Sequence, residues 1–463
     1  MISGRKGLRR CSNLLRDWLR FRLYTPRPMI QSLPGFRDFY PDEMAVRNYV
    51  FAKWRETARR YGFREYDGPP LESLELFTVK SGAEIVGQLY NFKDKGNRDV
   101  ALRPEMTPTL ARMVAAQERQ FKKPLKWFAI PQLFRYERQQ KGRLREHFQL
   151  NCDIIGENSV AADAELVACL IDSLRALGLT EKDFVVRVSD RLLWHEFLNA
   201  IGVAESSHDA VFAVVDKIER APQDVSRTNL GNAGLSTEQA EKIFSLATGD
   251  AEKILAGAGI GERLGVFNQF RSALEGFGLW KDFAKVDFTI VRGLAYYTGI
   301  VFEVHDREGK FRAIAGGGRY DNLLKLVSGG KVDLPALGFG MGDVVLTELL
   351  RERGKLNDVP EFTARFEGLT HKIDGYVVIV DESLRGAALK LIHDLRDAGF
   401  SIDYALSPAK VGKQFENASS LNARWAIVVA PQEWQGGQVK LKNMASGQEE
   451  IVAAGEVAAK ITK

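Results

Sequence analysis

The sequence predicts an α+β body with antiparallel strand pairing, a run of helices set into it, and a small α/β domain towards its C-terminal end. Three observations predict this. The stretch FRYERQQKGRLREHFQLNCDIIG, from Phe134 to Gly156, reads as a strand, a cationic loop around a glycine, and a returning strand, which is a hairpin. From about Trp194 to Phe277 the chain is rich in Ala, Glu and Lys and carries few strand runs, so it reads as helical. Beyond Asp374, YVVIVD, a helix from about Leu384 to Ala398, SIDYAL, the KQFENASSL helix and WAIVVA alternate β-α-β-α-β, the pattern of parallel strands.

Taken in order, residues 1–28 form a basic N-terminal extension, expected to be disordered. It holds eight cations against the single anion Asp17, a net of +7 out of a total of +5, which leaves −2 for everything after it. The basic balance is therefore a property of the tail, and any nucleic-acid binding must come from local patches. The tail lacks the apolar core of a secretory signal, and its arginines suit an organellar transit peptide. Met29, which opens MIQSLPGFRDFYP, offers the alternative of a second start site, and this is the reading favoured here because the tail is short.

Asp42 to Tyr61 reads as an amphipathic helix, opened by Pro41 and Asp42 and closed by Gly62, with Val46, Tyr49, Val50, Trp54 and Ala58 on one side. FREYDGPPLE follows as strand-like sequence broken by Pro69 and Pro70. ALRPEMTPTLARM predicts a strand, a turn and a helix ahead of the basic hairpin. Ala161 to Leu177 predicts a helix stopped by Gly178, and FVVRVSD a strand. After the helical run, residues 286–346 return to strand-rich, glycine-rich sequence, and a polar stretch around Pro360 and Gly368 suits a linker at 353–373.

Length and composition set the outer bounds. A chain of 463 residues has room for roughly two to four domains. An apolar share of 45% and a charged share of 27% are those of an ordinary soluble protein, and no apolar run is long enough to span a bilayer. Cys11, Cys152 and Cys169 are odd in number and have no metal-ligand spacing, which argues against a disulfide framework or a zinc site.

Two stretches carry the chemistry. In the hairpin, Arg135, Arg138, Lys141, Arg143 and Arg145 surround a glycine, and Glu137 stands two residues from Arg135. A carboxylate can hold one guanidinium in place while the other makes paired bonds to phosphate oxygens. The second stretch is DFTIVRGLAYYTGIVFEVH, Asp287 to His305, followed by AIAGGGRYDNLL. Three successive glycines, Gly316, Gly317 and Gly318, make sense where a ligand lies against bare backbone. If the first segment is a strand, Tyr296 and Tyr297 point to opposite faces, so at most one reaches a given pocket.

The hairpin resembles motif 2 of class II aminoacyl-tRNA synthetases. RGLxYYTGxVFE together with GGGRYD, in that order and after the hairpin, resembles the paired motifs of histidyl-tRNA synthetases. The resemblance implies an α+β catalytic domain over 29–352 built on an antiparallel sheet, with a helical insertion at about 194–277. It also implies an anticodon-binding-like α/β domain over 374–463 and a homodimer formed through the 42–61 helix. The implied reaction is activation of histidine by ATP, accompanied by Mg2+, and transfer to the 3′ end of tRNA(His) in the cytoplasm, or in an organelle if the tail is a transit peptide. Arg135 would contact the α-phosphate, Glu137 the adenine amino group and Arg143 the outer phosphates, with His147 or Phe148 stacking on adenine. Arg292 would sit between the histidine carboxylate and the α-phosphate. Glu105, Thr107 and Gln149 would bind the α-ammonium group, and Asp153, Tyr297 and Tyr320 the imidazole, with Tyr296, Gly316 and Gly317 beside it.

Each residue also has an ordinary structural reading: Glu105 as a salt-bridged surface residue, Arg292 as a strand-end cation, Tyr297 as a core aromatic. It is their joint order along the chain that selects the functional one. The chain departs from the common family pattern in three places. Ala295 stands where Asp is usual, Asp153 where Glu is usual, and the helix opening Gly342–Asp343–Val344–Val345 has no arginine to clamp the γ-phosphate. These losses raise a second reading, a catalytically silent regulatory subunit of ATP phosphoribosyltransferase. Such subunits lack the C-terminal domain that AKVGKQFENASSLNARWAIVVA resembles here. The RGLAYYTG and MGD wording is similar to that of a minority branch of the synthetases that includes organellar ones.

Overall fold

The computed structural model describes residues 30–81, 83–136, 144–291, 297–356 and 373–461. The N-terminal extension and most of the expected linker thus lie outside the described residues. Helix α1 (Pro41–Arg60) begins with proline at its first position, has Asp42 and Glu43 in its first turn and Arg59 and Arg60 in its last. Acids at the start and bases at the end both oppose the helix dipole. Gly62, at φ 78°, lets the chain turn out of the helix. The helix lays Val50, Phe51, Trp54 and Ala58 into its own domain's core.

Past α1 the chain forms β1 (Arg64–Glu65), then a small sheet of β2 (Leu71–Ser73), β3 (Asn91–Lys93) and β4 (Asp99–Leu102), with α2 (Leu74–Ser81) between the first two. Helix α3 (Thr107–Ala116) follows the RPEM turn. The main sheet then takes β5 (Leu125–Ala129), β6 (Gln132–Phe134) and β7 (Glu146–Ile155). After α4 (Val160–Arg175) come β8 (Phe184–Asp190), seven helices α5–α11 between Arg191 and Phe283, and β9 (Ala284–Val286). Last come β10 (Ile300–Asp306), β11 (Ala315–Arg319), α12 (Leu323–Val327), β12 (Ala336–Gly342) and α13 (Asp343–Glu352).

The main sheet runs β1-β5-β7-β12-β11-β10-β8-β9, with β6 added to β7. Its six central strands are antiparallel, as expected, and only the edge pairs β1–β5 and β8–β9 are parallel. The insertion leaves and rejoins the sheet through β8 and β9, which are neighbours, so a long helical excursion is accommodated without breaking the central pairing.

Strand alternation gives the sheet two different faces. Leu150, Cys152 and Ile154 of β7 and Leu337, Phe339 and Met341 of β12 pack with Leu166, Leu170 and Leu174 of α4 in the large core. The residues between them, on the opposite face, are polar on β7 and glycine on β12. That face is where a site can form.

The C-terminal domain has a sheet ordered β14-β13-β15-β16-β17. Its parallel part, β13 (Gly375–Ile379), α14 (Arg385–Asp397), β14 (Ile402–Tyr404), α15 (Val411–Ser420) and β15 (Trp425–Val429), follows the predicted alternation. An antiparallel pair, β16 (Gln438–Asn443) and β17 (Glu449–Ala453), extends it. Gln414, 1% exposed, closes the end of β13 by bonding both the N–H and the carbonyl of Ile379.

Candidate active site

A cleft of about 430 Å³ opens on the polar face of the main sheet, within the usual range for small-molecule sites. Its walls come from five separated segments: Glu105 and Thr107, Arg135, His147 with Gln149 and Asn151, Tyr297, and Arg312 through Gly316 with Tyr320. Gly338, Gly340 and Gly342 of β12 form its floor.

The hairpin forms as predicted. Gln132 pairs with Phe148 and Phe134 with Glu146, and the Arg135 N–H donates to Arg145 O at 2.9 Å. Arg135 Nε donates to Pro104 O at 3.1 Å, which ties the hairpin to the turn bearing Glu105. That turn is fixed from below by Arg103, 4% exposed, which bonds Asp67, the Gly68 carbonyl and the Gln132 carbonyl.

Parity along β7 decides between the two stacking candidates. His147, Gln149 and Asn151 line the cleft, whereas Phe148 faces away, its ring packed on Phe39 and Phe51 beneath the Arg47 guanidinium. Phe148 is therefore excluded as a ligand-stacking residue by strand alternation. Burial, followed by the nearby charges of Arg135 and Arg37, pushes His147 down to about 3, so its ring is neutral at ordinary pH.

Asp153, two strand positions past Asn151, continues the same face but lies beneath the cleft and is 3% exposed. One carboxylate oxygen accepts the Tyr320 hydroxyl. The other, and the nearby Tyr66 hydroxyl, are buried without a partner among the described residues. Burial raises this carboxyl to about 7, with the Tyr320 bond working in the opposite direction. Gly338 makes room for it, since an added Cβ would fall 2.1 Å from Asp153 Oδ1. Gly340 does the same for Gln149, at 2.6 Å.

One expectation needs correction, and one condition is not met. Gly317 does not line the cleft: a Cβ there would meet Gly338 O at 2.2 Å, so the neighbouring strand, and not a ligand, demands the glycine. Tyr297 is not in a strand, because β10 begins only at Ile300, yet it does line the cleft. Gly316 lines the cleft as expected. Glu137, Arg143, Arg292 and Tyr296 lie outside the described residues.

Asn151, Arg312 and the β12 glycines also line the cleft and were not expected there. Asn151 shares the parity of Gln149 and Asp153, and GFGMG carries glycine at every second position, the signature of a strand bare on one face; both signals were available. Arg312 sits in a segment without periodicity and had none.

A further network braces this wall. Arg37 bonds Glu146 at 2.6 Å and Asp343 at 2.9 Å, and Asp343 also accepts the Phe148 N–H at 2.9 Å. Both carboxylates are nearly inaccessible, with side chains 1% and 6% exposed. They join the start of β7 to the start of α13.

Comparison with known proteins agrees with this geometry. Residues 35–343 match the sequence profile described as Histidyl-tRNA synthetase, and residues 374–463 that described as Anticodon binding domain. The histidine–tRNA ligase of Opitutus terrae is 45% identical over 441 residues, covering 93% of this chain and 98% of that protein. The chloroplastic/mitochondrial histidine–tRNA ligase of Arabidopsis thaliana is 43% identical over 419 residues, 90% of this chain and 83% of that protein. The crystal structure of histidyl-tRNA synthetase from Nostoc sp. PCC 7120 shares the fold with a TM-score of 0.74, at 24% identity over 93% of this chain and 98% of that one. Fold and sequence matches together define the class, that of the aminoacyl-tRNA synthetases. Within that class, the chain belongs to the histidyl-tRNA synthetase family.

Proposed function

We propose that the protein is a histidine–tRNA ligase, which activates histidine with ATP to histidyl-adenylate and passes the histidyl group to the 3′ end of tRNA(His). The observation that carries this reading is the convergence of Glu105, Thr107, Arg135, Gln149, Tyr297 and Tyr320 on one cleft, with Asp153 buried beneath Tyr320. In the first step the histidine carboxylate attacks the α-phosphorus and pyrophosphate leaves. In the second a ribose hydroxyl attacks the activated carbonyl and AMP leaves. Both steps ask the protein for alignment and charge stabilisation rather than covalent chemistry.

Arg135 supplies a guanidinium to the α-phosphate, with Arg292 assigned between that phosphate and the histidine carboxylate. Glu105, Thr107 and Gln149 receive the α-ammonium group. The unpartnered oxygen of Asp153 is an acceptor suited to an imidazole N–H, while Tyr320 is bonded to the other oxygen and lines the cleft together with Tyr297. A ring with two hydrogen-bonding edges is what such a pocket selects. Neutral His147 offers a ring face to adenine without opposing the arginines. Glu137 is assigned to the adenine amino group and Arg143 to the outer phosphates. Magnesium is taken to arrive with ATP, held by phosphate oxygens and water.

The domain limits 29–352 and 374–463, a cytoplasmic site of action and a homodimer belong to the same proposal. Support for the dimer on this chain is the exposed apolar run of Ile30, Leu33 and Tyr40 leading into α1. No described helix is long and apolar enough to cross a membrane. Residues 374–463 carry ten cations and eleven anions, so tRNA binding there rests on a local patch; exposed Lys410 and Lys413, at the start of α15, are the candidates.

The regulatory-subunit alternative gains no comparable support. The structure described as an ATP phosphoribosyltransferase regulatory subunit/histidyl-tRNA synthetase from Bacillus halodurans C matches at a TM-score of 0.68 and 23% identity, a likeness of fold alone. The test is charging of a tRNA(His) transcript, already shown to accept histidine from another enzyme. Histidine-specific charging is expected, and none at all would overturn the reading.

A further inference from the structure

The cleft has a direction. Gly338 lies across from Asp153 at one end of β12, and Gly342 lies across from Gln149 at the other. Four residues of strand separate the two ends, roughly 13 Å. The Asp153 end, roofed by Tyr320, is the closed one. The Gly342 end is where β12 gives way to α13, with Val344, Val345, Leu144 and His147 on the wall. Arg135 leaves the hairpin here, one pair beyond Phe134–Glu146.

Arg312 belongs to this same end. Its segment is held by the bond from Gly342 N–H to Ile314 O at 3.3 Å and by the bond from Ile314 N–H to Val304 O at 2.8 Å. Two residues upstream, Arg312 is exposed and lines the same cleft as Val344 and Val345 of the first turn of α13. The helix itself presents only Val344 and Val345 to that corner, and His147 is neutral. Among the described residues lining the cleft, Arg135 and Arg312 are the two cations.

Resting on the synthetase reading above, we infer that Arg312 is a substrate-binding residue that contacts the β- and γ-phosphates of ATP, supplying from the β10–β11 connection the positive charge that α13 lacks at Val345. With the imidazole at the closed end, the triphosphate extends towards the mouth. The α-phosphate falls near Arg135 and the outer phosphates near Arg312. A planar guanidinium there makes paired bonds to phosphate oxygens and holds pyrophosphate in line as it leaves.

Arg312→Ala separates outer-phosphate contacts from everything else, because AMP carries the α-phosphate alone. In histidine-dependent pyrophosphate exchange by the full-length protein, the KM values for ATP and for pyrophosphate should each rise roughly 10- to 100-fold, the worth of one charged hydrogen bond. Inhibition by AMP and the KM for histidine should stay as in the parent. Adding Val345→Arg to the Arg312→Ala protein should restore part of the ATP affinity. Unchanged ATP and pyrophosphate constants would overturn the assignment, as would equal weakening of AMP. If the parent shows no exchange, the synthetase reading fails separately, and calorimetric binding of ATP against AMP to both proteins still decides the role of Arg312.

Discussion

Replacing Asp153 with Asn should make the free protein more stable and the enzyme worse. The folded protein holds this carboxyl at about 7, mainly by burial, against 3.8 in an exposed chain. Below about pH 3 the group is neutral whether the chain is folded or not, so it exacts no penalty. As pH rises from 4 to 7 the unfolded chain ionises while the folded one does not, and stability falls. Above 7 the loss is complete, and at 1.36 kcal/mol for each unit of displaced pKa it amounts to about 4 kcal/mol as an order of magnitude. Asn keeps an acceptor for the Tyr320 hydroxyl but never ionises. Packing is not disrupted, because Asn keeps the shape of the side chain. Denaturant unfolding at pH 8 should show the variant more stable than the parent, and at about pH 3 the two should converge. In pyrophosphate exchange, loss of a charged acceptor for the imidazole should raise the KM for histidine roughly 10- to 100-fold, with the KM for ATP little changed. A variant less stable than the parent at pH 8, or one with an unaltered histidine requirement, would refute the assignment of Asp153 as an ionisable acceptor held in reserve for substrate.

Arg135→Ala should lower the exchange rate by about 10²- to 10³-fold, the typical loss for one preorganised donor at developing charge, and the check is kcat at saturating ATP and histidine. Gly340→Ala places a Cβ 2.6 Å from the Gln149 amide, so Gln149 must leave its position and the KM for histidine should rise while thermal stability changes little. Arg37→Ala leaves Glu146 and Asp343 buried without their cation and should destabilise the protein by about 3 kcal/mol, read by denaturant unfolding. Lys410→Ala with Lys413→Ala should weaken tRNA binding and flatten its salt dependence, measured by titration at several ionic strengths.

Much of this site was legible in the chain. Strand–loop–strand sequence was enough to predict the hairpin and the shared face of Gln149 and Asp153, while the grouping of these with Arg135, Tyr297 and Tyr320 was implied by the resemblance to the family motifs. The same parity was enough to prefer His147 over Phe148, since Gln149 and Asp153 already named the face. Gly317 misled because a glycine demanded by a neighbouring strand reads no differently from one demanded by a ligand. The parity test for Tyr296 and Tyr297 does not apply, for the apolar run begins strand pairing only at Ile300, although Tyr297 lines the cleft. The Arg37 brace was illegible: its partners lie 109 and 306 residues away, and nothing local marks an arginine before a helix as their counter-charge. Arg312 was illegible for a related reason, as its segment is held by two backbone bonds of Ile314, to Gly342 and to Val304, and not by the residues around it in sequence.

The proposed site is a cleft that joins histidine to a nucleotide phosphate. Its most direct test is exchange of labelled pyrophosphate into ATP by the purified protein, with each amino acid supplied in turn. Exchange driven by histidine and by no other amino acid is the predicted result; exchange with none, or with a different amino acid, contradicts it.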